Sequence, residues 1–437
     1  MLLRNIKNMF SISDLRRKLF FTFGVLVVYR LGCHIPVIGI NVAKISDVIN
    51  QTTNLGKLLN FLDLFTGGAL AKCTLFGLGI GPYITASIMM QVLGFTVPYF
   101  EQLAKEGDYG RKLINQYTRY LAIGLSIMYA TGFAFALESE GLVLTPGWAF
   151  RFLFVLSLTV GCTIVMWLGE QISLFGIGNG SSMIIFASIV ARLPDNVTRT
   201  IYSIQMGNLD AVLGCAIWLI LIAITACVIF LEKGERKIPV QYARRVIGNR
   251  VYGGQSTYIP FKINNAGVMP VIFTQTIMSI PTALITLLAG RHAIFSVLAE
   301  KFSYTGILYN ALQFVLIICF YYFYTAFAFN PADLSENIKK NGGFIPGIRP
   351  GRKTAEFFDM ILTRLGLVGA IYLAFLALSP NLLAAFINNM PFYLGGTSLL
   401  ILVGVGLEIS SQIEAYLLEH NYEGFLSTGR MKSRSAR

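Results

Sequence analysis

The chain has 437 residues, 55% of them hydrophobic and 13% charged, with a mean hydropathy of +0.64 and a net charge of +13. Water-soluble domains are about a quarter charged, so this balance excludes an ordinary soluble protein and predicts an integral membrane one. Six cysteines with no CxxC spacing and three histidines far apart in sequence argue against a metal centre or a redox pair.

A membrane span needs about 20 mostly apolar residues. The first candidate is Leu19–Ile35. A basic region precedes its apolar core, as in a signal peptide, but no small-x-small cleavage site follows, so it reads as a span. Further candidates are Phe76–Val97, Tyr120–Ala136, Phe152–Leu168 and a weaker Met183–Ile201. The second half offers Val212–Leu231, Val268–Leu288, Ile307–Phe329, Ile361–Leu378 and Ser398–Ile413. Ten spans place both termini on one side. With that side cytoplasmic, 26 of the 35 Lys and Arg fall on inner segments, and this bias sets the orientation. The basic inner face suits anionic phospholipid or a large acidic partner.

Four spans are not uniformly apolar. Span 2 carries Gly77, Gly79, Gly81, Pro82, Thr85, Ser87 and Gln91, and span 5 opens with GNGSS and meets Arg192 and Pro194. Span 7 holds Thr274, Gln275, Thr276, Ser279 and Pro281, and span 10 opens at Gly395-Gly396-Thr397-Ser398 and carries Glu408. Polar or broken helices at membrane depth belong inside protein or along a watery cavity, so these four are the candidates to line one. Interruptions at related places in both halves suggest two inverted repeats of five spans, divided near residues 205 and 206. Ile80 and Ile84, and Ile185 and Ile189, are pairs spaced four apart, each on one helix face. Such pairs are ordinary in membrane helices, and spacing alone gives them no role.

A soft segment, FLDLFTGGALAK, stands before span 2 with Asp63, Gly67-Gly68 and Lys72 in it. Two inner loops are chemically distinctive. The loop near 232–266 mixes seven basic residues with Pro, Tyr and β-branched residues, which predicts a structured protrusion. The loop near 330–358 frames Arg349 with Pro and Gly in FIPGIRPG. Neither contains a phosphate-cradling GxxxxGK[ST] or a nucleophile–base pair, so no enzyme activity, catalytic residue or cofactor is expected. A basic tail over 416–437 closes the chain.

Six blocks in order, FTGGALAKCTLFGLGIGPYITASI, INQYTRY, MWLGEQISLFGIGNGSSMIIFASIVARLP, GERKIPVQYARR, FNPADLSENIKKNGGFIPGIRPG and MPFYLGGTSLLI, resemble the SecY family, the central subunit of the bacterial protein-conducting channel. The resemblance implies an all-α integral membrane fold of ten helices in two inverted halves around an hourglass pore. It implies a plug near 61–74 (Phe61, Asp63, Leu64, Phe65, Gly67, Gly68, Leu70) that moves aside on opening. It implies a pore ring of Ile80, Ile84, Ile185, Ile189, Ile272 and Ile401, and a lateral gate between spans 2 and 7 with Thr85, Gln91 and Ile280. Asn264 or Asn265 is expected to cap the start of span 7. Docking of the SecA ATPase or a translating ribosome falls to Arg236, Lys237, Arg244, Arg245 and Arg349. The implied partners are SecE and SecG, signal peptides and nascent chains, and the implied location is the bacterial inner membrane. A secondary transporter with inverted repeats is the rival reading. It would need a midplane cation site, and the candidate charges Arg30, Glu170 and Glu408 are scattered.

Overall fold

The computed structural model describes residues 12–40, 66–139, 141–207, 210–242, 245–247, 250–252, 256–289, 302, 306–386 and 396–428. Each of the ten predicted stretches carries a helix. Spans 1 to 5 correspond to α1 (Ser13–Gly32), α2 (Gly81–Thr96), α4 (Asp108–Ser139), α5 (Trp148–Phe175) and α6 (Gly180–Gln205). Spans 6 to 10 correspond to α7 (Ala211–Glu232), α8 (Met269–Ala289), α9 (Ile307–Ala328), α11 (Arg352–Phe386) and α12 (Gly396–Thr428). Two short helices complete the set, α3 (Pro98–Lys105) and α10 (Pro331–Lys340).

Among the described residues, 6 helical stretches are long and apolar enough to cross a membrane by themselves. Their lipid-facing character is direct: Phe152 is 72% exposed, Phe230 79% and Ile307 89%, which water would penalise and hydrocarbon accepts. The protein is therefore a multi-pass membrane protein. A seventh candidate is the pair Gly81–Gly94 and Pro98–Lys105, bent by 96°. The break has a local cause. Pro98 lacks the N–H that would continue α2, and the residue before it, Val97, is pushed to extended φ −110, ψ 117.

Two compact units divide the chain, one formed by Met1–Val197 with Val405–Arg437, the other by Thr198–Gly404. In the first, a core of Val37, Ile40, Leu70, Cys73, Ala130, Ala134, Leu137, Leu142, Phe150, Phe154 and Leu158 joins the exit of α1 to α4 and α5. Backbones meet closely in this unit. A Cβ on Gly161 of α5 would lie 1.9 Å from the Leu75 carbonyl oxygen, so only glycine lets these segments touch.

The second unit carries the β-strands among the described residues. Strand β1 (Glu235–Tyr242) pairs antiparallel with β4 (Ser256–Lys262), and β5 (Gly343–Phe344) adds to the other edge of β1. Two shorter strands, β2 (Arg245–Ile247) and β3 (Arg250–Tyr252), pair with each other between them. The predicted protrusion is thus a β-hairpin. Its cause is a period of two: Ile238 and Val240 are buried while Lys237, Pro239 and Gln241 face outward. The buried face rests on Phe261, Ile338 of α10, Ile345, and Phe358, Ile361 and Leu362 at the foot of α11. Both inner loops therefore share one hydrophobic core.

Candidate functional site

The expected plug falls partly outside the described residues: Phe61, Asp63, Leu64 and Phe65 are not among them. From Thr66 to Ile80 the chain runs in turns, with Gly67 at φ +67, Gly68 at φ +94, Cys73 at φ 44 and Gly79 at φ +56. The helix expected to begin at Phe76 begins at Gly81, which corrects that boundary. The apolar residues Phe76 and Ile80 continue the hydrophobic run, but the left-handed turn at Gly79 stops a helix forming through them. Pro82 then starts α2, where its missing N–H costs nothing.

This turn segment is held at several points. The guanidinium of Arg30, near the end of α1, donates to the Gly67 carbonyl oxygen at 2.9 Å. The neighbouring Tyr29 hydroxyl and Ser188 Oγ of α6 are 2.8 Å apart, and both side chains are buried. A Cβ on Gly67 would come within 3.0 Å of the Ser188 Cα and carbonyl oxygen, so glycine allows the close approach as well as the positive φ. Leu70 is buried in the core of this unit. Downstream, Val37 donates to the Cys73 carbonyl at 3.0 Å, and Leu75 donates to the Ile35 carbonyl at 2.8 Å.

The six isoleucines occupy defined positions. Ile80 is the N-cap residue of α2, buried, with its carbonyl accepting from the Ile84 N–H at 3.1 Å; Ile84 is half-buried. Ile185 and Ile189 are one turn apart on α6 and both buried. Ile272 lies half-buried in the first turn of α8, and Ile401 is buried on α12. Ile80 also sits over Gly169 of α5, where an added Cβ would meet its Cδ1 at 3.3 Å.

Of the seam residues, Thr85 is buried and its hydroxyl donates back to the Gly81 carbonyl at 3.1 Å; Gln91 is half-buried on the same helix. Ile280 lies within α8. The expectation that Asn264 or Asn265 caps α8 is corrected. The helix starts at Met269, and the Val268 carbonyl takes the first helical bond, from Ile272 at 3.3 Å. Asn264 instead donates to Glu232 Oε1 at 2.6 Å and to the Gly267 carbonyl at 3.2 Å.

On the hairpin, Arg236 and Lys237 are exposed. Lys237 pairs with Glu235 at 3.2 Å and lies 4.7 Å above the Tyr258 ring; the hydrogen bond it donates to the Glu235 carboxylate holds its ammonium above the ordinary lysine range. Arg245 lies in β2, and Arg244 is outside the described residues. Arg349 is exposed on a turn with a built frame. Gly347 at φ +83 and Gly351 at φ +104 bracket it, Thr354 Oγ1 donates to its carbonyl at 3.0 Å, and Ser335 Oγ donates to the Gly351 carbonyl at 2.7 Å. Ile345 and Ile348 pack this turn onto the shared core.

Two of the charges that a transporter would need are already engaged. Glu170 accepts a forked ion pair from Arg119 at 2.7 and 2.8 Å, and Arg30 is bound to Gly67. The sequence reading gave Tyr29, Ser188 and Glu232 no part. The polar pair at Tyr29 and Ser188, within two apolar spans, was the signal available for the first two.

Comparison with known proteins decides the family. The SecY family model matches residues 74–410. The chain belongs to the SecY family. Protein translocase subunit SecY of Mycobacterium bovis is 42% identical over 435 residues, covering 94% of this chain and 97% of that protein. The same subunit of Escherichia coli K12 is 41% identical over 428 residues, covering 97% and 96%. Among solved structures, a protein conducting channel matches with a TM-score of 0.63 at 19% identity, covering 95% of each chain. Sec61 in the canine ribosome–channel complex from the endoplasmic reticulum matches at 0.60 and 18% identity, again over 95% of each chain. At that identity these two establish a shared SecY-type fold.

Proposed function

We propose that this chain is the pore-forming subunit of a bacterial Sec translocon, passing unfolded secretory polypeptides across the inner membrane and releasing membrane segments sideways into it. The observation that carries the proposal is kinship with translocase subunits over nearly the whole length, at 42% identity and 97% coverage of the relative. Ten spans in two inverted halves, residues 1–205 and 206–415, surround an hourglass pore with both termini cytoplasmic. Ile80, Ile84, Ile185, Ile189, Ile272 and Ile401 make its waist. A narrow aliphatic neck excludes ions by dewetting, and isoleucine offers a sliding peptide no hydrogen bonds.

The segment 61–74 plugs the resting channel. Its support is the contact of Arg30 with Gly67 and the series of turns from Thr66 on, which form no continuous helix before α2. The lateral gate opens between α2 and α8, past Thr85, Gln91 and Ile280, where a helical segment samples lipid. A central Leu or Ile favours the bilayer by about 0.3–0.6 kcal/mol and a central charge opposes it by about 2.5–3.5 kcal/mol, so composition decides the route. Neither inner loop carries a nucleotide-binding motif, and the driving force comes from SecA or a translating ribosome docking on the hairpin, on Arg349 and on the tail. SecE and SecG complete the complex, and the work done is conduction rather than chemistry. Reconstitution with SecE, SecG and SecA tests all of this: ATP-dependent uptake of a precursor into liposomes is expected. Small-solute flux independent of SecA would overturn the proposal in favour of a transporter.

A further inference from the structure

The hairpin is joined to the membrane helices by a neck of two short connectors. One links Glu232, the last residue of α7, to β1; the other runs from Ile263, after β4, to Val268, before α8. The two are sewn together. Ile263 donates to the Gly234 carbonyl at 2.9 Å, directly below the Glu235–Lys262 pair of the strand register. Asn264, only 3% exposed, donates from one amide nitrogen to Glu232 Oε1 and to the Gly267 carbonyl. Both of those oxygens accept, so the amide can sit only one way round. Its own Oδ1 is left buried with no partner among the described residues, a cost accepted to make the two donor bonds.

A third element grips the same point. Tyr321 of α9 is fully buried and donates to the Ile263 carbonyl at 3.1 Å, while the Asn265 backbone N–H lies within its reach. Gly369 of α11 makes room for this contact: a Cβ there would lie 2.4 Å from the Tyr321 hydroxyl and 2.6 Å from the Ile263 carbonyl oxygen. The hairpin does not need the neck for its fold, because its buried face packs on the core it shares with α10 and the foot of α11. Without the neck bonds, the connector 263–268 would absorb any displacement of the strands.

We infer that Glu232 and Asn264 form a clasp that ties the hairpin to the entry of α8, so that a partner docking on the hairpin drives the movement of α8. A charge-assisted bond to Glu232, reinforced by the bond to the Gly267 carbonyl, suits that task, since together they hold one geometry stiffly. The inference rests on the docking and gating roles proposed above. Glu232 and Asn264 are positioning residues, touching neither client nor motor.

The test uses the full complex with SecE and SecG in nanodiscs, with native cysteines replaced and dyes at Met89→Cys on α2 and Ile277→Cys on α8. Three quantities are read: SecA affinity, the dye-distance change on SecA docking with ATP, and thermal unfolding. Asn264→Leu is expected to leave SecA affinity within about twofold while cutting the fraction of channels that open by about tenfold, the scale of a typical coupling. Tyr321→Phe, which removes the hydroxyl and its bond to the Ile263 carbonyl while keeping the ring, is expected to give a smaller loss of the same kind, about threefold. It keeps the test sharp if Asn264→Leu fails to fold. Full opening in either folded variant would overturn the clasp. Failure of the docking reading is a separate result: SecA affinity unaffected by Arg236→Glu and Arg349→Glu would remove that premise and the clasp role together.

Discussion

Arg30→Ala is the most direct probe of the resting channel. Arg30 is a cation carried by the first span, half-buried, with its guanidinium on the Gly67 carbonyl at 2.9 Å. A hydrogen bond to a charged group is worth about 1.5–3 kcal/mol. Partial exposure screens it, and about 1–1.5 kcal/mol is a fair expectation for the closed state. By the relation of about 1.4 kcal/mol per factor of ten, the open population of an idle channel should rise about fivefold to twelvefold. The assay is ion conductance of the purified complex in planar bilayers, without SecA or client. Gly67→Ala supplies a second arm, because its Cβ would press within 3.0 Å of the Ser188 backbone at φ +67. Both substitutions strike the same contact, so the double variant should leak less than the product of the two single effects. Unchanged resting conductance in correctly inserted Arg30→Ala would refute the reasoning. So would independent, multiplicative effects.

Three further outcomes are expected. Replacing Ile80, Ile84, Ile185 and Ile189 together by Ser should raise resting conductance by about tenfold or more while precursor uptake partly survives, since a wetted neck conducts salt; tight ion exclusion would count against the ring. Arg349→Glu should lower SecA-driven uptake by about tenfold with little change in thermal unfolding, because the side chain is exposed and its turn is held by backbone bonds; normal uptake would remove the coupling role. Gly161→Ala should destabilise the complex by about 1–3 kcal/mol, visible as a lowered Tm, since the new methyl would collide with the Leu75 carbonyl 1.9 Å away.

Span-length apolar runs were readable because lipid leaves a helix few alternatives for its backbone polar groups. The helix boundaries were less so. Phe76 to Ile80 looks like the start of a span by hydropathy, yet a single left-handed residue, Gly79, decides that α2 starts later. Asparagine shortly before a helix usually caps it, which is why the sequence points Asn264 to that role. Its real partner, Glu232, is 32 residues away, and nothing local announces such a contact. The hairpin was legible in principle, through the alternation of Lys237, Ile238, Pro239, Val240 and Gln241. Its pairing with β5 was not, because two residues, Gly343 and Phe344, are too short a strand to signal themselves. The Pro and Gly residues around Arg349 pointed to an ordered turn, and its glycines do take positive φ. What that turn rests on became visible only with Ile345, Ile348 and the foot of α11 in place.

The short bridge between Pro36 and Thr74 is where the plug proposed above would have its fulcrum. Cys73 and Leu75 are pinned to the exit of the first helix, and Leu75 is also wedged backbone to backbone against Gly161. The movable part of that proposed plug would therefore end upstream of Cys73. On that proposal, lengthening the chain beyond Cys73 would leave the plug's travel unchanged, whereas adding or deleting residues before it would alter the stroke.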